Sequence, residues 1–252
     1  MIATFIKFHL NYILYLMIYK IMNPVRNSSD QVSLAKNESS IYSYLDAKST
    51  SFRISNGMKR LIDIVGAIVG LLVIAPLTPF IALAIKLETP GTALVKLERV
   101  SNGKIIDVYK FRSMFAEAHK LKSKLSYLNE RRDGPFFKIK NDPRLTKVGR
   151  SIRKFRLDEF PQLINVLKGE LSLVGPRPHE PGEVIHYPHP FKHLMLAKAG
   201  VTGLSQINGA SSLSFLRELE FDNYYTKNQN LWLDAKIIAK TLLILFFDPS
   251  AV

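Results

Sequence analysis

The sequence predicts an α+β fold, mainly helical with one small β-hairpin. It further predicts a monotopic membrane protein, held by a proline-broken re-entrant helix and by amphipathic interfacial helices. Three observations lead there. Leu61–Ile85 is a 25-residue apolar stretch with one charge, Asp63, and with Pro76 and Pro79 inside it. Two strand-like runs flank Ser101-Asn102-Gly103. Finally, Lys138–Arg156 carries eight cations against one acid, Asp142, and leads directly into two adjacent carboxylates, Asp158 and Glu159.

Composition sets the outer bounds. The 252 residues, 47% of them hydrophobic, suffice for one sizeable domain and an appendage. With 35 Lys and Arg against 21 Asp and Glu the net charge is +14. Anionic partners are therefore expected: nucleic acid, phospholipid headgroups or phosphorylated substrates. The absence of cysteine excludes disulfides and thiolate metal sites. The chain divides into an N-terminal apolar segment with a Ser/Asn-rich linker (1–57), a proline-interrupted apolar stretch (58–90) and a larger domain (91–252).

Taken in order, Met1–Met22 is apolar but interrupted by Lys7, His9, Asn11 and Lys20, and has no small-residue cleavage site. It is read as a poor spanning helix or one lying at an interface, not as a signal peptide. A continuous helix over Leu61–Ile85 would reach about 38 Å against roughly 30 Å of hydrocarbon, long enough to span. Proline in mid-run removes a backbone donor and clashes with the preceding turn. A helix bent at Pro76 has two arms too short to cross, and places Lys59, Arg60 and Lys86 at one headgroup surface. The carbonyls of Leu72 and Ala75, freed by the prolines, then need partners, and Thr78 offers a nearby hydroxyl. A kinked span and a buried core hairpin stay open as alternatives.

Ala93–Val100 and Lys104–Phe111 predict a hairpin, because Asn102-Gly103 tolerates positive φ. Glu117–Asn129 has the pattern of an amphipathic helix with Lys120, Lys122 and Lys124 facing anionic lipid. Arg150, Arg153 and Lys154 share one helical face. Pro161 forces a break near Leu157–Asp158, after which a second helix runs from Glu159 to about Lys168 and ends at Gly169. Asp158 is then a plausible N-cap. As a cap it would contribute about 1 kcal/mol, with Glu159 complementing the helix dipole. The same geometry also suits chemistry: a carboxylate among cations is held ionised and is competent as a nucleophile, while the cations grip a diphosphate. Gly175-Pro-Arg-Pro178 adds a stiff turn and Arg177, a fork for phosphate.

These motifs resemble the monotopic polyprenyl-phosphate phosphoglycosyltransferases, bacterial sugar transferases that begin capsule, exopolysaccharide and O-antigen synthesis. The similarity runs from about Met58 to Leu245 through KRLIDIVGAIVG…AP, VYKFRSM, DPRLTKVGRSIRKFRLDEFPQLINVLKGELSLVGPRP and AGVTGLSQING. It implies transfer of a sugar-1-phosphate from a UDP-sugar to polyprenyl (undecaprenyl) phosphate with release of UMP. It also implies that Asp158 is the nucleophile of a covalent phosphosugar intermediate and the ligand of a magnesium ion, assisted by Glu159. Arg153 falls at the position that grips the polyprenyl phosphate. Lys110 and Arg112 belong near the site, and Pro176, Arg177 and Pro178 match the uridine-nucleotide element. The implied location is the cytoplasmic leaflet of the bacterial inner membrane, with lipid as a partner and no nucleic acid; homo-oligomerisation is left open. The sequence departs from that family's pattern at Arg156 (commonly Ser), Phe160 (Leu), Ser101 (Gly), Ala199 (Pro) and Ala75 (Ser), and Lys96–Arg99 lacks the Gln frequent in that strand.

Competing constellations are weaker. His179, His186, His189 and His193 cluster, but Pro188 and Pro190 break any helix that would align them as metal ligands. Gly200–Gly209 lacks both the lysine of a P-loop and the G-x-G-x-x-G spacing. A basic nucleic-acid-binding protein and a non-catalytic membrane scaffold are the readings from other classes. The first lacks a recognisable binding motif, and the second has no need of two adjacent acids.

Overall fold

The computed structural model describes residues 52–247, so Met1–Met22 and most of the expected linker lie outside the described residues. Helix α1, Phe52–Ile74, begins within the stretch read as linker. It is followed after a three-residue break by α2, Thr78–Glu88, and the two axes bend by 61°. The break falls at Pro76, and Pro79 sits in the first turn of α2, where its missing N–H has no helical partner to lose. Thr78 does supply a hydroxyl, but it donates to Ile74 O at 3.0 Å, and Ala75 O is satisfied instead by the Thr78 amide. Among the described residues no single helix is long and apolar enough to cross a membrane.

Three polar side chains at the start of α1 fix it to the rest of the protein. Lys59 Nζ lies 2.7 Å from Asp234 Oδ2 and donates to Val174 O. Arg60 donates to Val166 O and Leu167 O, the terminal carbonyls of a later helix. Asp63 accepts from the Ser172 hydroxyl and from the Leu173 amide at 2.8 Å. Lys59 and Arg60, expected beside lipid headgroups, are thus also held by protein acceptors. Gly66 and Gly70 allow the close approach, since a Cβ at either would stand 2.5–2.6 Å from Leu173 or Leu163. Ala67 is buried against Val108, Leu163, Val166 and Leu171. The opposite faces of α1 and α2 stay bare, with Leu72, Val73, Phe80 and Leu87 each about two-thirds or more exposed.

Strands β1, Leu94–Ser101, and β2, Lys104–Phe111, form the expected antiparallel hairpin, with Asn102 and Gly103 both at positive φ. That matches the right-handed twist of the strands. The expected helix over Glu117–Asn129 does not form. Glu117 is left-handed at φ 64° and provides no cap, and the chain winds through short 3-10 turns, Ala118–Leu121 and Ser126–Leu128. An apolar period of 3.6 is thus present without a start signal.

Helix α3, Lys147–Lys154, is capped by the Thr146 hydroxyl and by Glu88, whose carboxylate accepts from the Lys147 and Val148 amides. Leu157–Glu159 is a separate 3-10 turn, and α4, Gln162–Lys168, starts only after Pro161 and ends at left-handed Gly169. Asp158 is consequently not the side-chain cap of α4, which corrects the capping expectation. Beyond it lie β3 (Ser172–Val174), α5 (Pro181–Val184), β4 (Gly200–Thr202), α6 (Leu204–Ile207), α7 (Phe215–Asn228) and α8 (Leu231–Phe247). Strands β3 and β4 pair in parallel, and Gly200 permits it: a Cβ there would lie 2.1 Å from Gly175 N. Gly200–Gly209 is thereby strand and helix, not a phosphate loop. Two of the departures from relatives also meet. The Ala199 amide, which a proline would lack, donates to the Ser101 hydroxyl, which donates to Glu170 O.

Because Asp63 satisfies a buried amide and a hydroxyl, Asp63→Leu should lower stability by about 1–3 kcal/mol for the orphaned donors. A thermal melt in detergent measures it, and an unchanged midpoint would show that α1 is held without this contact.

Candidate active site

Site residues come from four pieces of the chain. β2 delivers Lys110, the 3-10 turn after α3 delivers Asp158 and Glu159, α3 carries Arg153, and the turn after β3 carries Arg177. Their relative placement is enforced by Asn165, which is fully buried on α4. Asn165 accepts from the Tyr109 amide at 3.0 Å and donates to Asp107 O at 2.7 Å, gripping the free edge of β2. Lys110 is the next residue, so α4 and the carboxylates ahead of it are locked to the lysine.

Lys110 Nζ lies 2.6 Å from Glu159 Oε1 and 3.7 Å from Asp158 Oδ2. Asp158 is buried at 5% exposure, while Glu159 keeps about a third of its side chain in solvent at 32%. The two carboxyls divide the charge unequally. Burial pushes Glu159 up, but the Lys110 charge and hydrogen bond outweigh it, with Arg177 and Arg156 adding, and hold it at about 2. Asp158 moves the other way: burial raises it, and Glu159 adds to the rise, against the pull of Lys110 and Arg153. Lys110 and Arg153 thus pull Asp158 down as expected, but burial and the neighbouring Glu159 pull it up by more.

Arg153 Nε donates to the Ser113 hydroxyl at 2.9 Å, on the same side as Asp158. Arg177 projects beyond Pro176 with its side chain a third exposed, and its charge reaches Glu159. Arg112 is placed differently. Its guanidinium is buried and donates to the carbonyls of Thr89 at 2.7 Å, Pro90 and Ile85, so it ties the end of α2 to β2. Arg112 thus adjoins the end of α2, not the carboxylate pair. Two of the four clustered histidines have protein partners of their own: His179 sits between Tyr187 and Glu218, and His193 contacts Asn223. Among the described residues no group of three or more His, Asp or Glu side chains converges as a metal cage.

The family model for bacterial sugar transferases matches residues 54–248, which include every one of these positions. The chain belongs to the bacterial sugar transferase family. It is 40% identical over 195 residues to a galactosyl transferase of Streptococcus agalactiae, with 77% of this chain and 43% of the relative covered. Similarity to the UDP-glucose:undecaprenyl-phosphate glucose-1-phosphate transferase of Escherichia coli is 39% over 204 residues, covering 77% and 41%. An exopolysaccharide production protein of Rhizobium meliloti is 34% identical over 188 residues, covering 73% of this chain and 83% of that protein. The chain therefore spans well under half the length of the first two relatives and most of the third.

In this sugar transferase, sequence reasoning missed Asn165 and a buried network on α7. Glu218, 1% exposed, meets Arg131 Nη1 at 3.0 Å and His179 Nε2 at 3.1 Å. Their signal was the presence of acids on a helix whose neighbours are apolar, but the partners lie far off in sequence. Burial pushes Glu218 up, yet the His179 hydrogen bond, Arg177 and Arg131 hold it at about 2, below its ordinary 4.5. A depressed carboxyl contributes stability that is complete above pH 4.5 and is lost as pH falls towards 2. Melting temperature should fall across that window, and Glu218→Gln should flatten the fall. An unchanged acid slope in the variant would place the sensitivity elsewhere.

Proposed function

We propose that this chain transfers a sugar-1-phosphate from a UDP-sugar to polyprenyl phosphate, releasing UMP, and so begins assembly of a bacterial surface polysaccharide. The observation that carries the reading is the buried carboxyl of Asp158 beside an ionised Glu159, both on Lys110, in a chain of this family. In the first step a carboxylate oxygen of Asp158 bonds to the sugar-bearing phosphorus, and the bond from that phosphorus to the bridging oxygen breaks, so UMP leaves with the electron pair. In the second, an oxygen of the polyprenyl phosphate attacks the same phosphorus and the Asp158 carboxylate departs. Splitting one transfer into two steps is what a nucleophilic carboxylate offers.

Residues around the pair supply positioning and charge, which is most of what phosphoryl transfer asks of a protein. Arg177 grips the nucleotide diphosphate and Arg153 the lipid phosphate. Lys110 holds Glu159 in place as the neighbouring anion. Magnesium fits this donor set, because it takes one or two carboxylates together with substrate phosphates and keeps its remaining waters. Asp158 would hold it, and its charge would neutralise the diphosphate.

The bare faces of α1 and α2 support a re-entrant insertion into the cytoplasmic leaflet of the inner membrane. The apolar part of α1, Leu61–Ile74, and the whole of α2 reach about 21 Å and 17 Å at 1.5 Å per residue, each short of roughly 30 Å of hydrocarbon. Because the chain has no cysteine, single cysteines can be labelled without background. Gly57→Cys and Thr92→Cys should both resist an impermeant thiol reagent in intact cells and react after lysis. Labelling of only one of them in intact cells would show a span.

Turnover tests the reaction. With a UDP-sugar and polyprenyl phosphate the detergent-extracted protein should release UMP with ping-pong kinetics. Asp158→Asn should abolish release and Glu159→Gln should slow it strongly. Appreciable turnover by Asp158→Asn would favour direct transfer in a ternary complex.

A further inference from the structure

Pro176-Arg177-Pro178 has one main-chain donor, because proline has no N–H. That donor, the Arg177 amide, points into the protein and is accepted by Asp222 Oδ2 at 3.2 Å. The other oxygen of Asp222 accepts the Ser205 hydroxyl at 2.8 Å, and the side chain is 1% exposed. One helical turn earlier on α7, Glu218 Oε1 stands 3.8 Å from Arg177 Nε. The same carboxylate is fixed from its far side by Arg131 and by His179, two residues after Arg177. Pro176 O accepts the Gly200 amide at 2.8 Å, closing the loop from the β4 side. The main chain and the inner part of the guanidinium are thus both held from α7, while a third of the Arg177 side chain faces solvent.

We propose that Asp222 and Glu218 are positioning residues for Arg177, through which α7 sets affinity for the sugar nucleotide without touching it. The inference rests on the reading of Arg177 as the diphosphate-gripping residue. The physical logic is one of pre-organisation. An arginine side chain freed of its supports samples many rotamers, and binding must then restrict them. A second carboxylate at Asp222 also seals the loop's lone buried amide, which would otherwise lack a partner. Neither acid reaches the carboxylate pair on the 3-10 turn, so the chemistry itself should be indifferent to them.

A double-mutant cycle separates positioning from a merely structural role. Arg177→Ala should raise KM for the UDP-sugar roughly tenfold or more, as expected for a lost contact between charges. Asp222→Asn keeps shape but turns an amide group toward one of its two donors; it should raise the same KM by about fivefold to tenfold. KM for polyprenyl phosphate and kcat should hold within about twofold, and the melting temperature should stay close to wild type. In the Arg177→Ala background the amide remains but there is no guanidinium left to misplace, so adding Asp222→Asn should change KM little further. Full additivity, or an equal effect on both substrates, would make Asp222 a structural residue and overturn the inference. If Arg177→Ala alone leaves KM for the UDP-sugar unchanged, the underlying reading of Arg177 fails and the inference with it, whatever Asp222→Asn does. Should Asp222→Asn not fold, Ser205→Ala, which loosens one side of the same carboxyl, runs the same cycle. A smaller rise confined to the UDP-sugar KM and absent without Arg177 is expected.

Discussion

One ammonium group organises this protein. Lys110 is the cation shared by two adjacent carboxyls, the buried Asp158 and the partly exposed Glu159. The rest of the fold can be understood as what it takes to bring that lysine there and keep it. The hairpin projects it, Asn165 clamps the strand on either side of Val108, and the 3-10 turn between α3 and α4 presents both acids on the same side. Left-handed Arg156, at φ 52°, makes the turn possible by ending α3 abruptly just before Leu157.

The consequence is an unequal pair. Glu159 has the direct contact and is held at about 2, whereas burial raises Asp158 above its ordinary value. The bent apolar helix pair shares in this arrangement. Glu88 at its far end caps α3, Arg112 binds its terminal carbonyls, and Lys59, Arg60 and Asp63 fix its start to α8, α4 and β3. The apolar hairpin of helices and the carboxylate pair are therefore parts of one rigid frame.

What was legible in the sequence was local. Pro76, the Asn102-Gly103 turn and the Gly169 stop each act through their own backbone, and each appears where expected. Asp158 and Glu159 were visible because unlike charges crowd within a short stretch. What was not legible depends on partners remote in the chain. Asn165 looks like any polar helix residue until Asp107 and Tyr109 are set beside it. Lys59 and Arg60 look like solvated cations until Asp234 and the α4 carbonyls are in view. The parallel pairing of β3 with β4 joins strands of three residues each, too short to carry a period. Glu117–Asn129 failed in the opposite direction, since its apolar spacing is helical but nothing caps its start.

The central claim is that Asp158 carries the sugar phosphate covalently, and intact-mass spectrometry tests it most directly. Wild-type protein incubated with a UDP-sugar and magnesium, but no polyprenyl phosphate, should gain the mass of one phosphosugar. Hydroxylamine should remove that adduct, as it does an acyl phosphate, and tandem fragmentation should place it on Asp158. An unmodified protein that nonetheless releases UMP once lipid is added would contradict the account.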